Sequence, residues 1–200
     1  MRALSPGAQR LLGAGFAVRR AWYRLRYPRL EIGAGVLFIG RLKLRAGTRL
    51  VLGDRVRIRK TVIVNGGGTV VVGPDTLLNG CWIGAREAVS VGAWCLISDC
   101  NISDNDFHNL LPRERHGELS PKAVGPVEIG DNVWVGARAI VLKGSRLGAD
   151  SVIGSGAVVR GPVPEGVVMA GNPAQIVRRF TTDERTARPS EGPGVIPVDD

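Results

Sequence analysis

The stretch VEIGDNVWVGARAIVLKGSRLGADSVIGSGAVVR, residues 127–160, decides the fold. Aliphatic side chains stand at Ile129, Val135, Val141, Leu147, Ile153 and Val159, six apart each time. Gly follows four of them, at Gly130, Gly136, Gly148 and Gly154. Two positions before each aliphatic come Val127, Val133, Ala139, Ser145, Ser151 and Ala157, all small or β-branched. A helix turns once every 3.6 residues and would rotate a six-residue mark off any single face. A strand–turn unit keeps it, with three units closing one triangular coil. The aliphatic then points into the prism, and the small residue sits where neighbouring chain comes too close for a larger one. Gly provides turn dihedrals that a Cβ resists. The spacing predicts an all-β chain, a parallel β-helix of hexapeptide repeats.

Working outward, the same register continues upstream with more noise. Ile32, Phe38 and Leu44 are six apart, as are Leu52, Ile58 and Val64, and Val72 with Leu78 and Val91 with Ile97 follow. Five to six coils of about eighteen residues are expected over 32–164, each buried only by its neighbours. The ends of such a stack need covers. Residues 1–31 supply one, a basic cap whose helix runs from about Pro6 to Tyr27. Its stripe Leu11, Gly15, Val18, Trp22 and Leu25 lies among Arg10, Arg19, Arg20, Arg24 and Arg26. The stripe packs on the first coil in one reading. In the other, the arginines with Trp22 and Tyr23 make a peripheral contact with an anionic membrane. Residues 165–180 form the opposite cap, Gly171–Phe180 crossing back over the last coil, and the polar 181–200 are expected to be disordered.

Composition agrees with a small-residue β architecture: Gly is abundant at 28 copies and aromatics make up only 5%. The net charge of +9 is lopsided. Residues 1–60 carry fifteen Lys/Arg against two acids, and residues 61–200 twelve against sixteen. Such a basic end suits an anionic partner, membrane phospholipid or nucleic acid, or else a solvated face. Nucleic acid is disfavoured, because no basic patch interleaved with aromatics is present and Gly-rich coils offer no groove-reading helix. Cys81, Cys95 and Cys100 are odd in number without CxxC spacing, so they read as small core residues in a reducing compartment. No run reaches the roughly 18 apolar residues of a membrane span. Leu11–Val18 ends in Arg19-Arg20 without a cleavage site, so a cytoplasmic chain is expected.

The register breaks once. After Ile97 it resumes at Ile129, so residues of about 103–126 are extruded as a loop, the part of a rigid scaffold where chemistry tends to sit. This loop holds both histidines, His108 and His116. His108 ends the run Ser103-Asp104-Asn105-Asp106-Phe107-His108, and an imidazole beside carboxylates can take a proton from a hydroxyl at neutral pH. Asp106 and Asp104 are its candidate partners. His116, after Pro-Arg-Glu-Arg, reads as a surface residue.

The hexapeptide run, the His-bearing loop before it, and the ending Met169-Ala170-Gly171-Asn172-Pro173-Ala174 followed by Arg178-Arg179 resemble the hexapeptide-repeat acetyltransferases. The maltose/galactoside and the capsule or exopolysaccharide O-acetyltransferases are the nearest branch. The resemblance implies a left-handed β-helix, an exception to the usual crossover hand. It also implies a homotrimer with active sites between subunits, acetyl-CoA as co-substrate, a sugar or glycan acceptor, and no metal. By the same resemblance His108 is the general base, and Asn79, in Leu-Asn-Gly-Cys-Trp-Ile, lines the catalytic pocket. Trp134, Gly136, Ala137, Gly154 and Ser155 flank the pantetheine arm, while Arg160, Arg178 and Arg179 reach the coenzyme phosphates. The short basic N-terminus departs from the acidic helical domain of the sugar-acetylating members, so their acceptor contacts do not carry over. An N-acetyltransferase acting on a nucleotide-linked amino sugar and a non-enzymatic scaffold remain alternatives. The γ-type carbonic anhydrases share the scaffold but need three histidines, and this chain has two.

Overall fold

The computed structural model describes residues 6–186, with side chains from residue 13 onward. It is a three-sided parallel β-helix. One face holds seven strands, from Leu30–Ile32 through Arg49–Leu52, Thr69–Val72, Ala88–Val91, Val127–Ile129 and Arg146–Leu147 to Pro162–Val163. We name it face A. Face B holds eight strands and face C six, and the chain visits A, B and C in turn. The stack thus has about seven coils rather than the five to six expected. The first begins two residues before Ile32, and the strands Pro162–Val163 and Val167–Ala170 add a partial coil at the far end.

The six-residue mark is the core. Ile129, Val135, Val141, Leu147, Ile153 and Val159 are all buried, as are the small residues two positions before them. Successive coils superpose them in register, Val91 on Ile129, Ile129 on Leu147 and Leu147 on Val163. Each aliphatic taken from water contributes about 1.5–3 kcal/mol. Stacking also explains the glycines at the corners: a Cβ on Gly136 would stand 2.9 Å from the Ser155 nitrogen of the next coil. Cys81, Cys95 and Cys100 are buried and unbridged.

The beat is not six everywhere. Ile83 and Ile102 fill face C of the third and fourth coils, each five residues after the preceding inward residue, Leu78 and Ile97. The corners Asn79-Gly80-Cys81 and Asp99-Cys100 are tight enough to drop a residue, with Gly80 at φ +74° and Asp99 at φ +45°. The loop accordingly leaves after Ser103, at the corner between faces C and A.

The helix Pro6–Arg26 covers the first coil, but its docking differs from the predicted stripe. Val18, Trp22 and Leu25 face outward at 71%, 54% and 85% exposure, and Tyr23 is buried against Phe38 with ring centroids 4.3 Å apart. The Tyr23 hydroxyl accepts the Leu42 N–H at 2.9 Å. Arg20 donates to the Val36 carbonyl at 3.2 Å, Arg24 to Ile32 at 2.9 Å and Arg19 to Gly40 at 2.5 Å. The first coil has no coil beneath it, so its outward carbonyls lack partners, and guanidinium groups supply them. Three arginines of the helix, Arg19, Arg20 and Arg24, therefore serve to close the stack.

At the other end, Gln175–Arg179 returns antiparallel to Val167–Ala170 and finishes face B. Thr182–Thr186 is a short helix where composition predicted disorder. Arg185 pins it to Asp150 at 3.3 Å and Glu165 at 3.0 Å. The remainder of the predicted tail, 187–200, lies outside the described residues.

Candidate active site

The loop is built by buried polar groups. Asp104 is fully buried, and its carboxylate accepts the N–H groups of Arg86 at 2.7 Å, Glu87 at 2.7 Å and Ala88 at 2.9 Å, with the Asn105 amide at 3.0 Å. Three successive donors on one anion form a strong charge-assisted anchor. Further out, Asn109 ties the loop across itself. Its amide donates to the carbonyls of Glu114 and Glu118 at 2.8 and 2.7 Å and its oxygen accepts the Ser120 N–H at 2.7 Å. Asn105 pairs with Val124 where the two limbs meet.

Asp106 is held differently. Its carboxylate meets Lys143 Nζ at 2.6 Å, on a side chain one coil onward that is itself largely buried and also donates to the Lys122 carbonyl. His108 is exposed, and its backbone N–H donates to the Asp106 carbonyl at 2.7 Å. Among the described residues no side chain hydrogen-bonds its ring. The expected partnership of the imidazole with Asp106 or Asp104 is therefore not made here: Lys143 holds the first carboxylate and three backbone amides hold the second. His116 is exposed as expected.

Between these residues and faces A and C lies a cleft of about 220 Å³ that residue-by-residue reading missed. It is lined by Asn65, Trp82, Arg86, Asn105, Phe107 and Leu119, with Gly66 and Gly84 on its wall. Phe107 sits at φ +63°, an uncommon conformation for a large side chain, fixed where its N–H donates to the Asn105 side chain at 2.9 Å. Its ring lies 5.7 Å from that of Trp82.

A second cluster lies on the other edge of face C, at the corner with face B. Asn79, Ser98, Gly136, Gly154 and Ala170 follow one another up the coils there. Asn79 is half-exposed and precedes the left-handed Gly80, so it is not itself the turn residue. Trp134 stands outward on face B at 49% exposure. Ala137 and Ser155 occupy the corners of adjacent coils, and among the described residues neither of their N–H groups donates a hydrogen bond. Stacked coils are about 4.8 Å apart, so these two donors repeat along the axis at the spacing of a strand ladder. The structure thus brings Trp134, Gly136, Ala137, Gly154, Ser155 and Asn79 to one edge. Arg178 and Arg179 lie at the end of face B above it, on the returning strand. Arg178 is paired with Glu184 and lies over the Phe180 ring at 5.2 Å. Arg160 is apart from these, at the C–A corner on the loop's side. Lys60 and Asp99 pair at 2.7 Å on the Asn79 edge.

The bacterial transferase hexapeptide family (six repeats) matches residues 126–161. This is a hexapeptide-repeat chain with acetyltransferase relatives. A probable acetyltransferase of Mycobacterium tuberculosis is 31% identical over 178 residues, which are 78% of this chain and 57% of that protein. A putative acetyltransferase of Saccharomyces cerevisiae is 46% identical over 61 residues, 30% of this chain and 31% of its own length. The chain thus spans about half or less of these relatives. Among solved structures, the polySia specific acetyltransferase NeuO superposes with a TM-score of 0.56 at 26% identity, over 75% of this chain and 85% of that one. An N-acyltransferase from Bacillus cereus, in complex with dTDP and 3-hydroxybutyryl-CoA, superposes at 0.58 with 15% identity over 81% and 89%, a likeness of fold alone.

Proposed function

We propose that the chain is an acyl-CoA-dependent O-acetyltransferase that moves acetyl from acetyl-CoA to a hydroxyl of a sugar or polysaccharide precursor. The observation that carries the reading is the corner bearing the N–H groups of Ala137 and Ser155, unpaired among the described residues, beside the exposed Trp134 ring. An extended arm with amide carbonyls fits two donors one coil apart, and the small side chains let it lie against the wall. Arg179, and Arg178 beyond its pairing with Glu184, stand where the phosphates of such a molecule would end. Relatedness to acetyltransferases and the likeness to NeuO support the chemistry.

In this reading the His108 imidazole takes the proton of the acceptor hydroxyl as its oxygen attacks the thioester carbonyl carbon. The carbon–sulfur bond breaks, the acetyl group passes to oxygen, and the proton moves on to the departing thiolate, giving the ester and free coenzyme A. Asp106 is a positioning residue, its carbonyl on the His108 N–H and its carboxylate on Lys143. The His108 loop and the Trp134 edge leave face C from opposite sides, roughly 15 Å apart at ~3.3 Å per residue. That separation favours a homotrimer in which the loop of one subunit meets the Trp134 and Asn79 edge of the next. The outward ridge of Val18, Trp22 and Leu25 favours a peripheral contact with anionic membrane, now through apolar side chains more than through the arginines.

The test is thiol release from acetyl-CoA against a panel of sugars, with His108→Ala alongside and the mass of the particle measured in solution. Release should need an acceptor and fall by at least about a hundredfold in the variant, the usual range for a lost general base. An undiminished rate in His108→Ala, or a monomer with full activity, removes the mechanism.

A further inference from the structure

The cleft beside the loop has features that acyl transfer to an arbitrary sugar does not require. Its floor is aromatic and carefully cleared. The outer edge of the Trp82 ring sits over Gly84, where a Cβ would stand 2.3 Å from it. Phe107 closes on it from the loop, held in its left-handed conformation by Asn105 and by the Asp104 anchor. The two rings, inclined at 48° with centroids 5.7 Å apart, and two side-chain amides, Asn65 and Asn105, make an angled surface on which a pyranose can place its C–H face and hydroxyl edge. Arg86 also lines the cleft. Asp104 binds the Arg86 backbone N–H, which fixes where its side chain departs. The guanidinium itself is exposed, and among the described residues it makes no salt bridge or hydrogen bond. No acidic residue lines the cleft. An uncompensated cation at the end of an aromatic platform selects an anion carried on a ring.

Resting on the acyl-transfer reading, we infer that this cleft is the acceptor subsite and that the acceptor is an acidic sugar. Its ring lies on Trp82 and Phe107, and its carboxylate or phosphate pairs with Arg86. Phe107 is the immediate neighbour of His108 in sequence, so the base leaves the same turn that builds the platform.

The experiment compares kcat/KM for matched acceptors, a neutral hexose, its uronic acid and its 6-phosphate, in the wild type, Arg86→Gln and Gly84→Ala. The wild type should prefer an acidic member by about tenfold or more, the scale of one charge-assisted bond. The uronic acid and phosphate arms distinguish the two anions. Arg86→Gln should erase the preference through KM with kcat nearly retained. Gly84→Ala displaces the Trp82 ring and should raise KM for acidic and neutral members alike. Equal use of neutral and acidic sugars, a preference that survives Arg86→Gln, or no turnover of any acidic sugar overturns the inference. Coenzyme A binding by calorimetry separates its failure from that of the underlying reading. Tight binding without an acidic preference rejects the subsite alone, and no binding rejects both. A drop in coenzyme A affinity in Arg86→Gln assigns the arginine to the donor and likewise overturns the proposal.

Discussion

Replacing Asp104 by Asn tests how the loop is held. The carboxylate uses one oxygen for Glu87 and Ala88 N–H and the other for Arg86 N–H and the Asn105 amide. An amide can keep only one of those oxygens. Placed to retain Glu87 and Ala88, it turns its NH₂ toward two donors, so two bonds to a charged acceptor are lost at about 1.5–3 kcal/mol each. A destabilisation of about 3–6 kcal/mol follows, a fall in midpoint on the order of 10 °C for a chain of this size. Because Asn105 and Phe107 hang from the same anchor, the platform should loosen too. The assay is thermal and urea unfolding at fixed protein concentration, with tryptophan fluorescence to follow Trp82. A midpoint within about 2 °C of wild type, in the range of an ordinary surface change, would refute the argument that this carboxylate is structural.

Three further outcomes are expected. Tyr23→Phe leaves the buried Leu42 N–H without its acceptor and should cost about 1–3 kcal/mol in urea unfolding. Lys143→Met frees Asp106 from its only ion pair among the described residues, so trypsin should cut at Arg113 and Arg115 faster than in wild type while the stack stays folded. Burial raises all three thiols, Cys95 to about 11 and Cys100 to about 12. The unfolded chain then loses those protons first as pH rises above the ordinary thiol range. Stability is full below the ordinary thiol range and should fall through about pH 9–12, at up to about 1.4 kcal/mol per pH unit for each thiol until its own folded-state value is passed. Native protein should meanwhile react only slowly with a thiol reagent at pH 8.

Residues 127–160 could be read as a β-helix without coordinates, because each coil meets the same two neighbours. One local rule, aliphatic in and small residue two before, then repeats as a period along the chain. Ala137 and Ser155 share an edge for the same reason, being eighteen apart, and Trp134 stands on the strand that leads into it. The loop could be located from the break after Ile97, but its interior obeys no period. Which carboxylate serves which group depends on partners distant in sequence, Arg86 to Ala88 for Asp104 and Lys143 for Asp106, and adjacency to His108 does not reveal them. The helix stripe failed similarly. Its apolar spacing was correct as a pattern, but the first coil offered open carbonyls rather than an apolar wall, so arginines and Tyr23 turned inward and Trp22 outward. Sequence alone determined the winding and where it is interrupted. Only the tertiary structure decided which polar groups meet, because unpaired carbonyls and buried carboxylates recruit whatever donor the fold brings within about 3 Å.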